Sequence, residues 1–180
     1  APSGVCLRIV SGTLSGSGTI DGTLANQAAG TVVGAGETLV VTGGTTNGGG
    51  LQVAGTMDSA VANQAGATVS LTGGRIDGSL ANNGMLRGYG VIDGDLTNTA
   101  SDSDIAVVFG SGLTLQVTGQ IRNSGTVGFS GRLEGDMTNE AAGDFALRGE
   151  VVGRLVNDGT LRGAGRVTGA LVNQGTTSIG

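Results

Sequence analysis

Several residue types on which enzymes commonly depend are missing from this 180-residue chain. It has no His, no Lys and no Trp, and it has one Cys, one Pro and one Tyr. Without an imidazole, a Ser–His or Cys–His pair cannot form, and without lysine a Ser–Lys arrangement is excluded as well. We therefore predict that the protein is not an enzyme, and we assign no catalytic, cofactor-binding or metal-binding residue.

Other absences narrow the class of partner. The net charge of −5 argues against nucleic acid. No apolar run approaches the roughly 18 residues of a membrane-spanning helix. Paired carboxylates could hydrolyse glycosides, but the aromatic residues that could stack on a sugar are few: Tyr89, Phe109, Phe129 and Phe145.

What the chain does contain is glycine, with 38 of 180 residues, about three times the usual share. Its apolar residues are mostly Val, Leu, Ile and Ala, in short runs separated by Gly, Asn and Asp. This composition is too hydrophobic for a disordered chain and is typical of many short β-strands.

One seven-residue phrase ending in asparagine recurs nine times. The copies are IDGTLAN (20–26), VTGGTTN (41–47), MDSAVAN (57–63), IDGSLAN (76–82), IDGDLTN (92–98), VTGQIRN (117–123), LEGDMTN (133–139), VVGRLVN (151–157) and VTGALVN (167–173). A phrase repeated at about 20 residues is the signature of a solenoid. Within residues 74–92, apolar and small residues alternate with polar ones, as in strands with one buried face.

The sequence therefore predicts an all-β fold, a single-stranded β-solenoid of about nine to ten coils. Successive phrases are 16 to 25 residues apart, with long and short links alternating, so that a pair of about 35 residues is the repeating unit. One coil per phrase is our interpretation, and one large turn per pair is the alternative. Residues 1–19 form an N-terminal strand and partial first coil, and residues 20–180 form the solenoid, with a longer surface loop at 98–116. At the usual strand spacing the rod is about 45 Å long.

The terminal asparagines are predicted to stack in a ladder, bonding one another along the axis and adopting left-handed turn conformations. The ladder residues are Asn26, Asn47, Asn63, Asn82, Asn98, Asn123, Asn139, Asn157 and Asn173.

Charged residues also form columns in this arrangement. Asp77 and Asp93 fall next to each other, which leaves two alternatives: a hydrated outer face, or a calcium ion between the carboxylates. Arg132, Glu150 and Arg166 fall in one column, in which opposite charges alternate and favour the correct register.

The phrases GETLVVTGGTTNGGGLQVAG (36–55) and GSGLTLQVTG (110–119) resemble the autotransporter-associated β-strand repeat. The stretch LVNDGTLRGAG (155–165) is similar to β-helical autotransporter passenger domains and to filamentous haemagglutinin-type adhesins. The resemblance covers the chain from about residue 12 to the end. It implies a β-helix, secretion to the cell surface or extracellular space, and a surface or adhesive role, for which a cell surface or glycans are the candidate partners.

Both ends of the chain look unfinished. Val5, Leu7 and Ile9 alternate with Cys6 and Arg8 like an open strand, which requires a bulge near Ser11, and only seven residues follow the last phrase. We expect Cys6 to be buried or inert. The start at Ala1-Pro2 is consistent with removal of a signal peptide.

These features favour a secreted structural subunit that stacks head to tail on copies of itself into a filament. The alternative is a stalk or passenger segment of a bacterial surface adhesin. The predicted assembly ends are Val5, Cys6, Leu7, Ile9, Leu171, Thr177 and Ile179.

Overall fold

The computed structural model describes residues 5–27, 30–100 and 112–178, and it is an all-β structure. Its strands pair in parallel throughout. In these three segments there is no helix that is long and apolar enough to cross a membrane.

The described residues form 24 strands, which we number in chain order. They are β1 (Val5–Ile9), β2 (Thr13–Ser15), β3 (Gly18–Ile20), β4 (Gly22–Asn26), β5 (Gly30–Val33), β6 (Thr38–Val41), β7 (Thr45–Asn47), β8 (Gly50–Val53), β9 (Thr56–Asp58), β10 (Val61–Asn63), β11 (Thr68–Asp77), β12 (Leu80–Asn82), β13 (Met85–Ile92), β14 (Leu96–Asn98), β15 (Thr114–Asn123), β16 (Thr126–Phe129), β17 (Arg132–Asn139), β18 (Asp144–Leu147), β19 (Glu150–Val152), β20 (Leu155–Asn157), β21 (Thr160–Arg162), β22 (Arg166–Thr168), β23 (Leu171–Asn173) and β24 (Thr176–Ser178).

The strands stack in three rows, and each fully described coil contributes one stretch of strand to each row. The ladder row contains the asparagine strands and runs β1, β4, β7, β10, β12, β14, the second halves of β15 and β17, β20 and β23. The second row runs β2, β5, β8 and the first halves of β11 and β13, and resumes with β16, β18, β21 and β24. The third row runs β3, β6, β9, the second halves of β11 and β13, the first halves of β15 and β17, β19 and β22. The prediction of a β-solenoid with one coil per phrase is confirmed.

The core lies inside these rows, because alternate residues of each strand point inward. Leu80, Leu86 and Ile92, which belong to the apolar and small set of the alternation within residues 74–92, are fully buried. Aliphatic residues occupy most of the core, and one aromatic contact occurs in the second row, where the rings of Phe129 and Phe145 stack with centroids 5.6 Å apart. The core is therefore a continuous column that each coil shares with its two neighbours.

The turn that follows each asparagine differs from the prediction. No residue other than glycine has a positive φ in the described segments. The prediction that the asparagines adopt a left-handed conformation was therefore wrong. Asn82 instead ends strand β12 with its side chain buried. Gly84, two residues later, is required for close packing, because a Cβ there would lie 2.3 Å from the carbonyl oxygen of Gln64.

The N-terminal segment forms the three strands of a partial coil, with Leu7 opposite Leu24 and Ile9 opposite Asn26. This register points Cys6 outward, and its thiol is free and exposed, so of the two alternatives for Cys6, buried or inert, the buried one was wrong. Most of the predicted loop at 98–116 lies outside the described residues, and its last residues, from Thr114, already belong to β15.

Candidate functional site

An unbroken line of hydrogen bonds joins the nine asparagines along the rod axis. In each pair, Nδ2 of one asparagine donates to Oδ1 of the asparagine in the next coil, over 2.6–2.8 Å. All of these asparagines except Asn173 are buried. The predicted ladder is therefore present.

Asparagine suits this position because its short side chain carries both a donor and an acceptor. The second Nδ2 hydrogen is used as well, since Asn82 Nδ2 also donates to the carbonyl oxygen of Gly84 over 2.8 Å. These main-chain acceptors fix which way each amide points. The ladder consequently has a direction, with donors facing the C-terminal end and acceptors facing the N-terminal end.

The first rung of the ladder is incomplete. Asn26 is 1% exposed, and its Oδ1 has no hydrogen-bond partner. The position that would supply its donor, one coil earlier, holds Ile9. In the described part of the chain, only one other buried side-chain polar atom lacks a partner, and it is Oγ1 of Thr31 in the same coil. Leu14 lies opposite Thr31.

The last described rung has the complementary property. Asn173 is exposed, and its amide donates to the carbonyl oxygen of Gly175 over 3.2 Å, while its Oδ1 accepts from Asn157. Beside it, Leu147, Leu161 and Leu171 line an apolar hollow of about 230 Å³. Core surface is therefore open at this end of the described rod.

The structure brings the predicted assembly residues to two separate ends. Val5, Cys6, Leu7 and the half-buried Ile9 lie on β1 at one end, where all but Ile9 are exposed. Leu171 and Thr177 are exposed at the other. Ile179 lies outside the described residues.

Charged side chains lie on the outer surface of the rod. Arg75 lies between the two aspartates that sequence alone left unpartnered, forming ion pairs with Asp77 and Asp93. Over the three described segments, no three metal-ligating side chains cluster. The positive charge between Asp77 and Asp93 is therefore that of Arg75, at the place where the calcium alternative put a metal ion.

The predicted charge column around Glu150 is also present. Its carboxylate accepts a hydrogen bond from the Thr168 hydroxyl over 2.6 Å and pairs with Arg132 (3.0 Å) and Arg166 (3.9 Å). The Thr168 hydrogen bond, followed by the arginine charges, lowers the pKa of Glu150. The hydrogen bond that Arg132 donates to the Glu134 carboxylate raises the pKa of Arg132. Asp136 accepts from the main-chain N–H of Arg154 over 2.8 Å.

Sequence reasoning missed the two unpartnered atoms in the first full coil. The signal was available, because Ile9 lies 17 residues before Asn26, a distance within the range of coil lengths. Placing Ile9 in the asparagine column would have shown that Asn26 has no donor for its Oδ1 one coil earlier.

Comparisons of this chain with protein-family models, with curated proteins and with solved structures find no match. The fold and the ladder together define the class, which is a parallel β-solenoid with an internal asparagine ladder.

Proposed function

We propose that this chain is a secreted, non-enzymatic structural protein that stacks head to tail with copies of itself into an extracellular filament. The observation that carries the proposal is the direction of the asparagine ladder. Because every rung donates towards the C-terminal end, the first rung has an acceptor to spare at Asn26 and the last has a donor to spare at Asn173.

Ends of this kind are complementary to each other and not to themselves. A contact between the unlike ends of two identical molecules is heterologous, and if it does not close into a ring it produces a filament. Parallel strand edges add to this, since unpaired N–H and C=O groups readily accept another strand. The extracellular location rests on the resemblance of the repeat to secreted β-helical proteins.

The stalk of a surface adhesin is the alternative with the same architecture. There, further coils of the same polypeptide would occupy the positions that a second copy occupies in the filament. The two proposals differ in whether the 180-residue chain associates with itself.

Electron microscopy and sedimentation velocity over a concentration series test the proposal. We expect filaments of one coil diameter, and a sedimentation coefficient that rises with concentration. Leu171→Asp should abolish association, because it places a charge on a core position of the stacking end. The matched control is Val172→Asp in the same strand, whose side chain points away from the core and which should still associate. A wild-type chain that stays monomeric at every concentration would refute the filament.

A further inference from the structure

We infer that the filament junction is made by strand replacement: β23 and β24 of one molecule take the places of β1 and β2 on the next. This inference rests on the proposed head-to-tail stacking and specifies which surfaces meet. The occupant of the first coil's end face is thus a second copy of this chain.

The first observation is that both unpartnered buried atoms face the same two strands. Asn26 Oδ1 lies against Ile9 of β1, and Thr31 lies against Leu14 of β2. Leaving a buried acceptor unpaired is costly. The N-terminal strands therefore cover this end of the rod with apolar side chains, which cannot form hydrogen bonds with Asn26 Oδ1 or Thr31 Oγ1.

The second observation is that β23 and β24 carry polar residues at the two matching positions. Asn173 follows Asn157 in the ladder column, and Thr177 follows Leu161 in the inward column of the second row. Stacked on β4 and β5 of a second copy, Asn173 would lie over Asn26, and Thr177 over Thr31. A buried pair of hydroxyls already exists in this rod, with Thr45 and Ser59 2.9 Å apart.

The apolar positions match as well. Strand β4 ends in Leu-Ala-Asn, and β23 reads Leu-Val-Asn. Leu171 would stack on Leu24 as it now stacks on Leu155, so the junction would repeat an internal rung. In contrast, β1 offers Leu7 and Ile9, and four of its five residues are exposed.

At the proposed junction, strands from the two molecules would together fill all three rows and form one complete coil. The last described coil has strands in the ladder row (β23) and second row (β24), whereas β3 supplies the third row ahead of β4. With β1 and β2 displaced, β3 of the second copy would stack on β22 of the first, placing Ile20 over Val167. Both side chains are only partly buried at present. Each junction would then contain one composite coil.

Disulfide trapping distinguishes the replaced junction from simple stacking on β1. In a Cys6→Ser background, Ala25→Cys with Val172→Cys places thiols on adjacent strands only if β1 is displaced. Arg8→Cys with Val172→Cys does so only if β1 stays in place, because Arg8 lies opposite Ala25. Adjacent parallel strands are about 4.8 Å apart, which is within the Cα separation of disulfides. The two sites of one chain are many coils apart, so that any cross-link is intermolecular.

We expect mild oxidation to convert the 25/172 variant into a ladder of covalent multimers and to leave the 8/172 variant about tenfold less cross-linked. The reverse result, or filaments without a 25/172 cross-link, would overturn strand replacement but leave the proposed filament standing. Absence of filaments for the wild-type chain would refute the proposed function itself. Electron microscopy of each variant separates these outcomes.

Ile9→Asn provides an independent test. It gives Asn26 a donor from its own β1, which should hold that strand in place, and it offers Asn173 of another copy an acceptor on β1. The favoured cross-link should therefore move from 25/172 to 8/172, with a change of about tenfold for one hydrogen bond. Ile9→Val is the matched control and should leave the 25/172 cross-link dominant. An unchanged cross-link pattern in Ile9→Asn would contradict the role assigned to Asn26.

Discussion

The central coils and the end coils are made from the same phrase, yet they differ in how many of its residues are buried and hydrogen-bonded to a neighbouring coil. Asn82 accepts from Asn63 and donates to Asn98, whereas Asn26 and Asn173 each lack a ladder partner on one side. Leu80 is 1% exposed and Leu171, at the same position of the phrase, is 46% exposed. A coil of this rod therefore derives its stability from its neighbours, as in other linear repeat proteins.

In the proposed filament, the ends of the rod are the parts that associate. A central coil has its ladder, its core and both strand edges satisfied. An end coil has the same groups with one side open, so that adding a coil completes several of them at once. In the proposed filament, the repeat itself would supply the contacts for association, and no separate binding module would be needed.

The largest expected effect is on the shared core. Leu80→Ala should lower the free energy of unfolding by about 2–5 kcal/mol, because it leaves a cavity in a fully buried position. Leu171→Ala, the same substitution at the open end, should cost less than about 1 kcal/mol, because much of that side chain is already in water. Urea unfolding followed by circular dichroism, at concentrations where sedimentation shows a monomer, measures both. Equal losses would mean that the end coil is as well packed as the centre.

A smaller difference is expected for the ladder. Asn82→Ala removes the donor to Asn98 Oδ1 and the acceptor for Asn63, so it should cost about 2–3 kcal/mol. Asn63 keeps a main-chain acceptor at Met85, 3.0 Å away, which limits the loss. Asn173→Ala should cost the monomer less, about 1 kcal/mol, because it removes one acceptor of Asn157, whose Nδ2 keeps main-chain acceptors at Gly159 and Thr176. The same urea titration measures this pair, and a large effect of Asn173→Ala on the monomer would contradict the contrast between centre and end.

Much of the fold could be predicted from sequence because every copy of the phrase has a similar pattern of apolar, small and polar residues and ends in asparagine. Alternation placed Leu80 and Ile92 inside, and the repeated asparagine fixed the register from coil to coil. Links of different length did not obscure this, because the asparagine strands on either side of them stay in register. The ladder was therefore recognisable without any knowledge of the coil's cross-section.

The remainder depended on contacts between neighbouring coils. Asparagine has a local preference for left-handed turns, but its burial in an extended strand allows a bond to the next coil, and that contact prevails. The place of Arg75 beside Asp77 and Asp93 follows from a register that a single phrase does not contain. The outward position of Cys6 likewise depends on the pairing of β1 with β4.

The smallest expected effect is on the charged outer surface near the C-terminal end, where Glu150 joins Arg132, Thr168 and Arg166. The pKa of Glu150 is lowered in the fold, chiefly by the hydrogen bond from Thr168. A group with a lowered folded pKa contributes its stability above its unfolded pKa and loses it as pH falls through the folded value. Glu150→Gln should therefore be less stable than wild type at neutral pH, and the difference should vanish in acid. Because the pair is at the surface, added salt should shrink it too. Thermal melting of both proteins between neutral and acid pH measures the difference, and a gap that widened in acid would mean that the carboxylate is not stabilised by these partners.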